Sequence, residues 1–189
     1  MQLLRDRIDS AIGTILLVSD GENLCAVDYA EYEGRMLTLL ERHYREFRLQ
    51  DVTDPQGFSS RIHAYLAGDL SCLNCIPVNP GGTVFQQEVW SALRTIPPGS
   101  VLSYGELAAR LGRPMSYRAV GMTNALNPVA LVIPCHRLVG ADGALTGYAG
   151  GLDRKRWLLQ HEGVGLVELT SGSTVTKDKR TSNSRRLGT

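Results

Sequence analysis

The order of apolar and polar positions splits this chain into two unlike halves. In "TILLVSDGENLCAVDY" (14–29) two short apolar runs flank a polar break, and Asp20-Gly21 supplies the turn chemistry, which predicts a β-hairpin. In "EGRMLTLLERHYREF" (33–47), Met36, Leu39, Leu40, Tyr44 and Phe47 recur at helical spacing and predict a helix. "PQGFSSRIHAYLAGDL" (55–70) predicts a second helix, ended near Gly68. "NPGGT" (79–83) breaks the pattern, and a domain boundary is placed there.

The second half is more helical. Thr83 is a candidate N-cap, and Phe85, Val89, Leu93 and Ile96 form an apolar stripe that runs to "PPG" (97–99). "SYGE" (103–106) matches a capping box, Ser103 facing the first turn and Glu106 reaching back, with a helix to Leu111. "GRP" (112–114) is a tight turn, and "MSYRAVGMTNAL" (115–126) is a further short helix. Helix, glycine-containing turn, helix is the helix-turn-helix pattern, which many helical proteins share. Pro128 ends that helix at Asn127, because the residue before proline avoids the helical region. "VALVI" (129–133) reads as a short extended buried run, and "VGADGALTGY" (139–148) as a hairpin around Asp142-Gly143. "GYAGG" (147–151) is a glycine-rich loop, and "LDRKRWLLQHEG" (152–163) a last helix stopped by Gly163.

The expected fold class is therefore α+β: a small N-terminal α/β domain over 1–80, and a mainly helical domain with a helix-turn-helix over 81–166. A basic tail, 167–189, is rich in Ser, Thr, Lys and Arg, and its composition predicts disorder.

Composition narrows the function classes. Of 189 residues 43% are hydrophobic and 21% charged, enough apolar material for a real core. No run of 18 apolar residues occurs, so no membrane span is expected. "MQLLRDRIDS" carries charge where a signal peptide needs an apolar stretch, so an intracellular, cytoplasmic protein is expected. In that setting the four cysteines, Cys25, Cys72, Cys75 and Cys135, are expected as free thiols. The net charge is +1, but residues 170–189 carry +4, leaving −3 on the rest. Any nucleic-acid contact by the folded part must then use a local patch or shape rather than bulk charge.

The most unusual stretch is "LVIPCHRLVG" (131–140), where an apolar run stops at Pro134 and Cys135, His136 and Arg137 follow directly. A free thiol is mostly protonated at neutral pH, and a nearby base, acting directly or through a water, makes it a nucleophile. Adjacent side chains in an extended segment point to opposite faces, so the pair needs a bend after Pro134 or a bridging water. The imidazole needs an acceptor, which Glu162 in "QHEG" can supply. Taken alone, "PCH" more often marks a small buried hydrophobe than a nucleophile. A zinc site lacks a second ligand pair near Cys135. Cys72 and Cys75 form a CxxC without a partner pair or a βα context, so neither zinc nor thioredoxin-like chemistry is well supported there.

"RAVG" (118–121), "NP" (127–128), "IPCHR" (133–137), "GYAGG" (147–151) and "KRWLLQHEG" (155–163) together resemble the methylated-DNA–protein-cysteine methyltransferases, the O6-alkylguanine-DNA alkyltransferases. The match covers about 83–165 strongly and 1–80 more loosely. It implies direct-reversal repair, in which the alkyl group on O6 of guanine moves to the protein's own cysteine in a single turnover. Residue by residue, the resemblance makes Cys135 the acceptor, His136 its base through a water, and Glu162 the group that orients the histidine. Tyr104 becomes the phenol that protonates N3 of the leaving guanine. Asn127 becomes the brace between recognition helix and active-site segment.

The target base lies inside a stacked duplex, so the family flips it out, working from the minor groove. Arg118 matches the arginine that takes its place in the stack. Ala119 and Gly121 keep the recognition helix small, and Ser103 and Tyr117 complete the expected DNA-facing set. Leu138, Tyr148 and Ala149 are expected around the base, with Lys155 near the pocket rim. No cofactor or metal is expected. The expected partner is double-stranded DNA carrying O6-alkylguanine, bound by a monomer.

The chain departs from the family pattern at Tyr117 and Met122, and at Ala125-Leu126, where small residues or glycine are usual. These put DNA geometry in question more than chemistry. Three alternatives compete: a non-catalytic relative that flags alkylated DNA, which would lack the cysteine; a DNA-binding regulator, which would need a second DNA-binding or zinc-cysteine domain upstream; and a thiol hydrolase, which a stable thioether product disfavours.

Overall fold

A computed structural model describes residues 1–165; the predicted disordered tail lies outside the described residues. The N-terminal half is a four-stranded sheet with two helices. Strands β1 (Gln2–Ile8), β2 (Ile15–Ser19), β3 (Leu24–Tyr29) and β4 (Arg48–Asp51) lie in the order β3-β2-β1-β4. The predicted hairpin is β2–β3, antiparallel, with a register shift at Val18/Ser19 and Gly21 at φ +101° in its turn. Both strands are buried along their whole length.

Neither β1 nor β4 shows in the sequence pattern. β1 ("QLLRDRI") carries three charges and only two buried residues, Leu3 and Ile8. β4 ("RLQD") is a four-residue edge strand that pairs parallel to it. Helix α1 (Glu33–Tyr44) ends three residues before Phe47, because Arg45 takes φ +59°; Phe47 packs on the smaller cluster around Leu3, Met36 and Leu40. Helix α2 (Phe58–Leu66) begins after a 3₁₀ turn at Pro55–Gly57 and stops before Gly68 at φ +112°.

In the second half, α3 (Val84–Arg94) starts at Thr83 through a full capping box with Gln86. The second expected box is also formed: Ser103 accepts from Glu106 N–H and opens α4 (Tyr104–Arg110). Gly112 at φ +70° and a 3₁₀ turn at Pro114–Ser116 lead into α5 (Tyr117–Ala125), completing the helix-turn-helix. Helix α6 (Leu152–His161) closes the described chain.

Two expectations are corrected here. "VALVI" is buried but not extended: Leu131 takes φ +70° and Ile133 N–H bonds to Val129 O at 2.9 Å, so the run is a tight turn. Pro134 and the need to aim Cys135 inward favour that turn over a strand. The stretch 139–148 is not a hairpin. Only a turn forms, with Gly140 N–H on Ala144 O at 2.8 Å; β6 (Leu138–Val139) pairs instead in parallel with β5 (Leu102–Ser103).

One apolar cluster runs through both halves, joining Leu17, Val27, Tyr29, Ile62 and Tyr65 to Trp90, Leu93, Val120, Val129 and Leu158. Backbone bonds stitch β3 to the active-site segment: Val27 N–H to Pro128 O at 2.9 Å and Ala130 N–H to Val27 O at 3.0 Å. Burying apolar surface from both sides contributes roughly 25 cal/mol per Å², so the N-terminal half is part of the site's foundation. Among the described residues no helix is long and apolar enough to cross a membrane.

Candidate active site

The bend that the Cys-His pair requires is present. Cys135–Arg137 form one turn of 3₁₀ helix, set up by Cys135 N–H on Ile133 O (2.8 Å) and Arg137 N–H on Pro134 O (3.0 Å). All three side chains are buried. Asn127 holds the approach from both of its amide ends, with Nδ2 on Ile133 O at 2.8 Å and Oδ1 accepting from Val129 N–H at 3.0 Å. Asn124, in α5, donates to Cys135 O at 3.3 Å. Helix α5 and the cysteine turn are thereby one hydrogen-bonded unit.

Glu162 sits just past the C-terminus of α6, where the helix dipole disfavours a carboxylate. Three donors compensate. His136 Nε2 lies 3.0 Å from Oε1; Arg137 reaches Oε1 with Nη2 (2.7 Å) and Oε2 with Nε (2.9 Å); and Tyr65 Oη donates to Oε1 at 2.7 Å. Burial works against ionisation, but the bonds from His136 and Arg137 outweigh it and hold the Glu162 carboxyl well below its ordinary range. The charged carboxylate fixes the histidine tautomer: with the Nε2 proton on Glu162, Nδ1 is the basic nitrogen. Nδ1 is buried and has no hydrogen-bond partner among the described residues. Burial also lowers the His136 pKa, against the pull of Glu162, so the imidazole stays neutral. Burial raises the Cys135 thiol, opposed by Asn127, Lys155 and Arg35, so the sulfur is protonated until a base acts on it.

Lys155 is not at a rim. It is fully buried, and its Nζ donates to Leu138 O and to Thr146 O, tying the cysteine segment to the glycine-rich loop; burial lowers its pKa to about 8. Leu138 is buried, and its carbonyl is taken by this lysine. Tyr148 and Ala149 are half-buried in the loop, where the Tyr148 ring meets His136 edge-on at 6.5 Å and its hydroxyl meets Tyr29 at 3.2 Å. Tyr104 is half-buried, its hydroxyl on Thr146 O (3.2 Å), its pKa raised by burial.

Gly121 crosses directly over this ring: a Cβ there would meet Tyr104 Cδ1 at 3.7 Å. Arg118, Ala119 and Tyr117 are exposed on α5, with the Arg118 guanidinium 5.6 Å from the Tyr117 ring. Met122 is exposed too, so Tyr117 and Met122 face solvent, while Leu126 is half-buried. Ser103 spends its hydroxyl on the α4 cap.

Residues 3–80 match the family model described as "6-O-methylguanine DNA methyltransferase, ribonuclease-like domain", and residues 84–164 match "6-O-methylguanine DNA methyltransferase, DNA binding domain". The "Methylated-DNA--protein-cysteine methyltransferase" of Shigella flexneri is 47% identical over 170 residues, 88% of this chain and 99% of that protein. This chain belongs to the methylated-DNA–protein-cysteine methyltransferase family. The Mycobacterium tuberculosis relative of the same name is 44% identical, across 82% of this chain and 89% of its own length. The crystal structure of Mycobacterium tuberculosis O6-methylguanine methyltransferase superposes with a TM-score of 0.71 at 38% identity, covering 85% of this chain and 92% of that one. The M. tuberculosis OGT complex with DNA gives 0.72 at 37%, covering 89% and 96%.

Some of this family member's site was not legible as chemistry in the sequence. Arg137 stands beside the Cys-His pair, yet nothing in its spacing points to Glu162. Tyr65, Tyr29 and Asn124 carry no motif, and only the tertiary contacts reveal them.

Proposed function

We propose that the protein repairs intracellular double-stranded DNA by moving the alkyl group of O6-alkylguanine onto Cys135, once per molecule. The observation that carries this reading is the buried Cys135–His136–Glu162 arrangement, in which the carboxylate occupies Nε2 and leaves Nδ1 as the base. His136 takes the thiol proton through a water. The thiolate attacks the saturated carbon in an SN2 step, forming C–S and breaking C–O, and the electron pair goes to the guanine. Tyr104 supplies the proton at N3, which makes guanine a better leaving group.

Base flipping costs about a few kcal/mol. Arg118, exposed on α5, fills the gap in the stack, while Ala119 and Gly121 let the helix lie close in the minor groove. Tyr117 lies beside Arg118 and adds contact on the DNA. The base sits between the 3₁₀ turn and the loop that carries Tyr148 and Ala149, and Lys155 joins these two walls from beneath. The thioether product cannot be hydrolysed as a thioester is, so the cysteine is not regenerated. The protein acts as a monomer and uses no cofactor.

The test is to incubate the protein with a duplex bearing one O6-methylguanine and to follow its intact mass. A gain of one methyl group, mapped to Cys135 and saturating at equimolar lesion, is expected. DNA binding without mass gain would hand the lead to the lesion-flagging alternative.

A further inference from the structure

The Cys72–Cys75 pair is absorbed by no part of the repair chemistry. It lies in a continuous turn that follows α2, stabilised by bonds from Cys72 N–H to Asp69 O, Asn74 N–H to Ser71 O, and Ile76 N–H to Leu73 O. Within this turn Cys75 Sγ donates to Cys72 O at 3.5 Å, so the two residues meet directly. A disulfide spans Cα atoms roughly 4.4–6.8 Å apart, and the ends of a four-residue turn lie within about 7 Å of each other.

The two sulfurs have different surroundings. Cys75 is an exposed free thiol, and Arg61 Nη1 donates to its Sγ. Its exposure makes this sulfur the one a small disulfide reaches first. Cys72 is half-buried and donates through Sγ to Arg61 O at 3.0 Å; burial raises its pKa and keeps it protonated in reserve. Arg94 clamps the turn on either side of Cys75, with Nη2 on Asn74 O and Ile76 O, both at 2.9 Å. No cluster of three His, Cys, Asp or Glu among the described residues makes this a metal site.

We propose that Cys72 and Cys75 are a redox-active dithiol that exchanges with small disulfides of the glutathione class. Cys75 gives its proton to solvent, and the resulting thiolate attacks the S–S bond of the small disulfide and expels one thiolate. Cys72 then gives its proton to solvent, attacks the Cys75 sulfur of the mixed disulfide and expels the second thiolate. The dithiol loses two electrons and two protons, and the small disulfide becomes two thiols. Both sulfurs contact Arg61, which lies one helical turn before Tyr65, whose hydroxyl holds Glu162.

The full-length protein is equilibrated in buffers of varied oxidised-to-reduced glutathione ratio, quenched with a maleimide and mapped by peptide mass. The wild type is expected to lose two hydrogens across Cys72 and Cys75 in a single transition. Cys72→Ser is expected to stop at a glutathione adduct on Cys75, and Cys75→Ser to leave Cys72 unmodified. Full maleimide labelling of both cysteines at every ratio overturns the proposal. So does a mixed disulfide that persists in the wild type, or a bond that forms only after unfolding in urea. Matching circular dichroism of the variants shows that a negative result is not a folding failure.

Discussion

The hydroxyl of Tyr65, in the N-terminal half, donates to Glu162 Oε1 at 2.7 Å across 97 positions of the chain. It shares that oxygen with His136 and Arg137, so a residue from the sheet half completes the environment of the candidate catalytic carboxylate. Tyr65→Phe removes one donor to a charged acceptor, worth about 1.5–3 kcal/mol. Arg137 and His136 remain, so Glu162 stays ionised. The expected result is a measurable loss of stability in urea with transfer slowed by less than about tenfold. An unchanged denaturation midpoint would show that the bond contributes nothing.

Glu162→Gln should be far more damaging. The amide can present an N–H to Nε2, which places the imidazole proton on Nδ1 and blocks the base. By analogy with a serine-protease triad in which the orienting carboxylate becomes an amide, the rate loss is on the order of 10⁴. The substitution also leaves the Arg137 guanidinium buried without its carboxylate, at about 3–5 kcal/mol. The linkage has a definite sign: the folded carboxyl titrates below its unfolded value, so its contribution is complete above about pH 4.3 and is lost as pH falls through the folded pKa. Acid denaturation curves of wild type and variant should converge at low pH.

The transfer rate should stay level as pH falls through about 6.5, the ordinary histidine value. Burial lowers the His136 pKa, so the neutral base persists below that point and is lost only at lower pH. Pre-steady-state transfer from methylated duplex across pH 5–8 (a range of about three units around that value) measures it. A midpoint at or above the ordinary histidine value excludes His136 as the base in this environment.

Tyr117→Ala should weaken duplex binding and leave the reaction with a free O6-alkylated guanine unchanged. The ring is exposed beside Arg118 on α5. One lost stacking or groove contact is worth about 1–3 kcal/mol, or roughly five- to hundredfold in affinity. Equal losses in both assays would mean that Tyr117 supports the fold rather than the DNA contact.

Much of the architecture was written locally. Thr83 and Ser103 announce two helix starts through capping boxes, Asp20-Gly21 announces the β2–β3 turn, and Gly163 ends α6. Each works through backbone bonds within a few residues, so spacing alone reveals it. The same holds for the Cys135-His136 pair and its motif neighbours, which pointed to thiol chemistry and to the family. What local pattern could not decide was anything fixed by partners far along the chain. β1 carries charge and lacks clean alternation, so only its pairing with β2 and β4 makes it a strand. "VALVI" has strand composition, but its bonds to β3 and the need to present Cys135 fold it into a turn. Lys155 resembles a surface lysine until two carbonyls, Leu138 O of β6 and Thr146 O of the following loop, converge on it and hold it in the interior. Tyr65 and Arg137 acquire their roles only because packing brings one carboxylate to both, and a buried charge must gather its donors from wherever the fold supplies them.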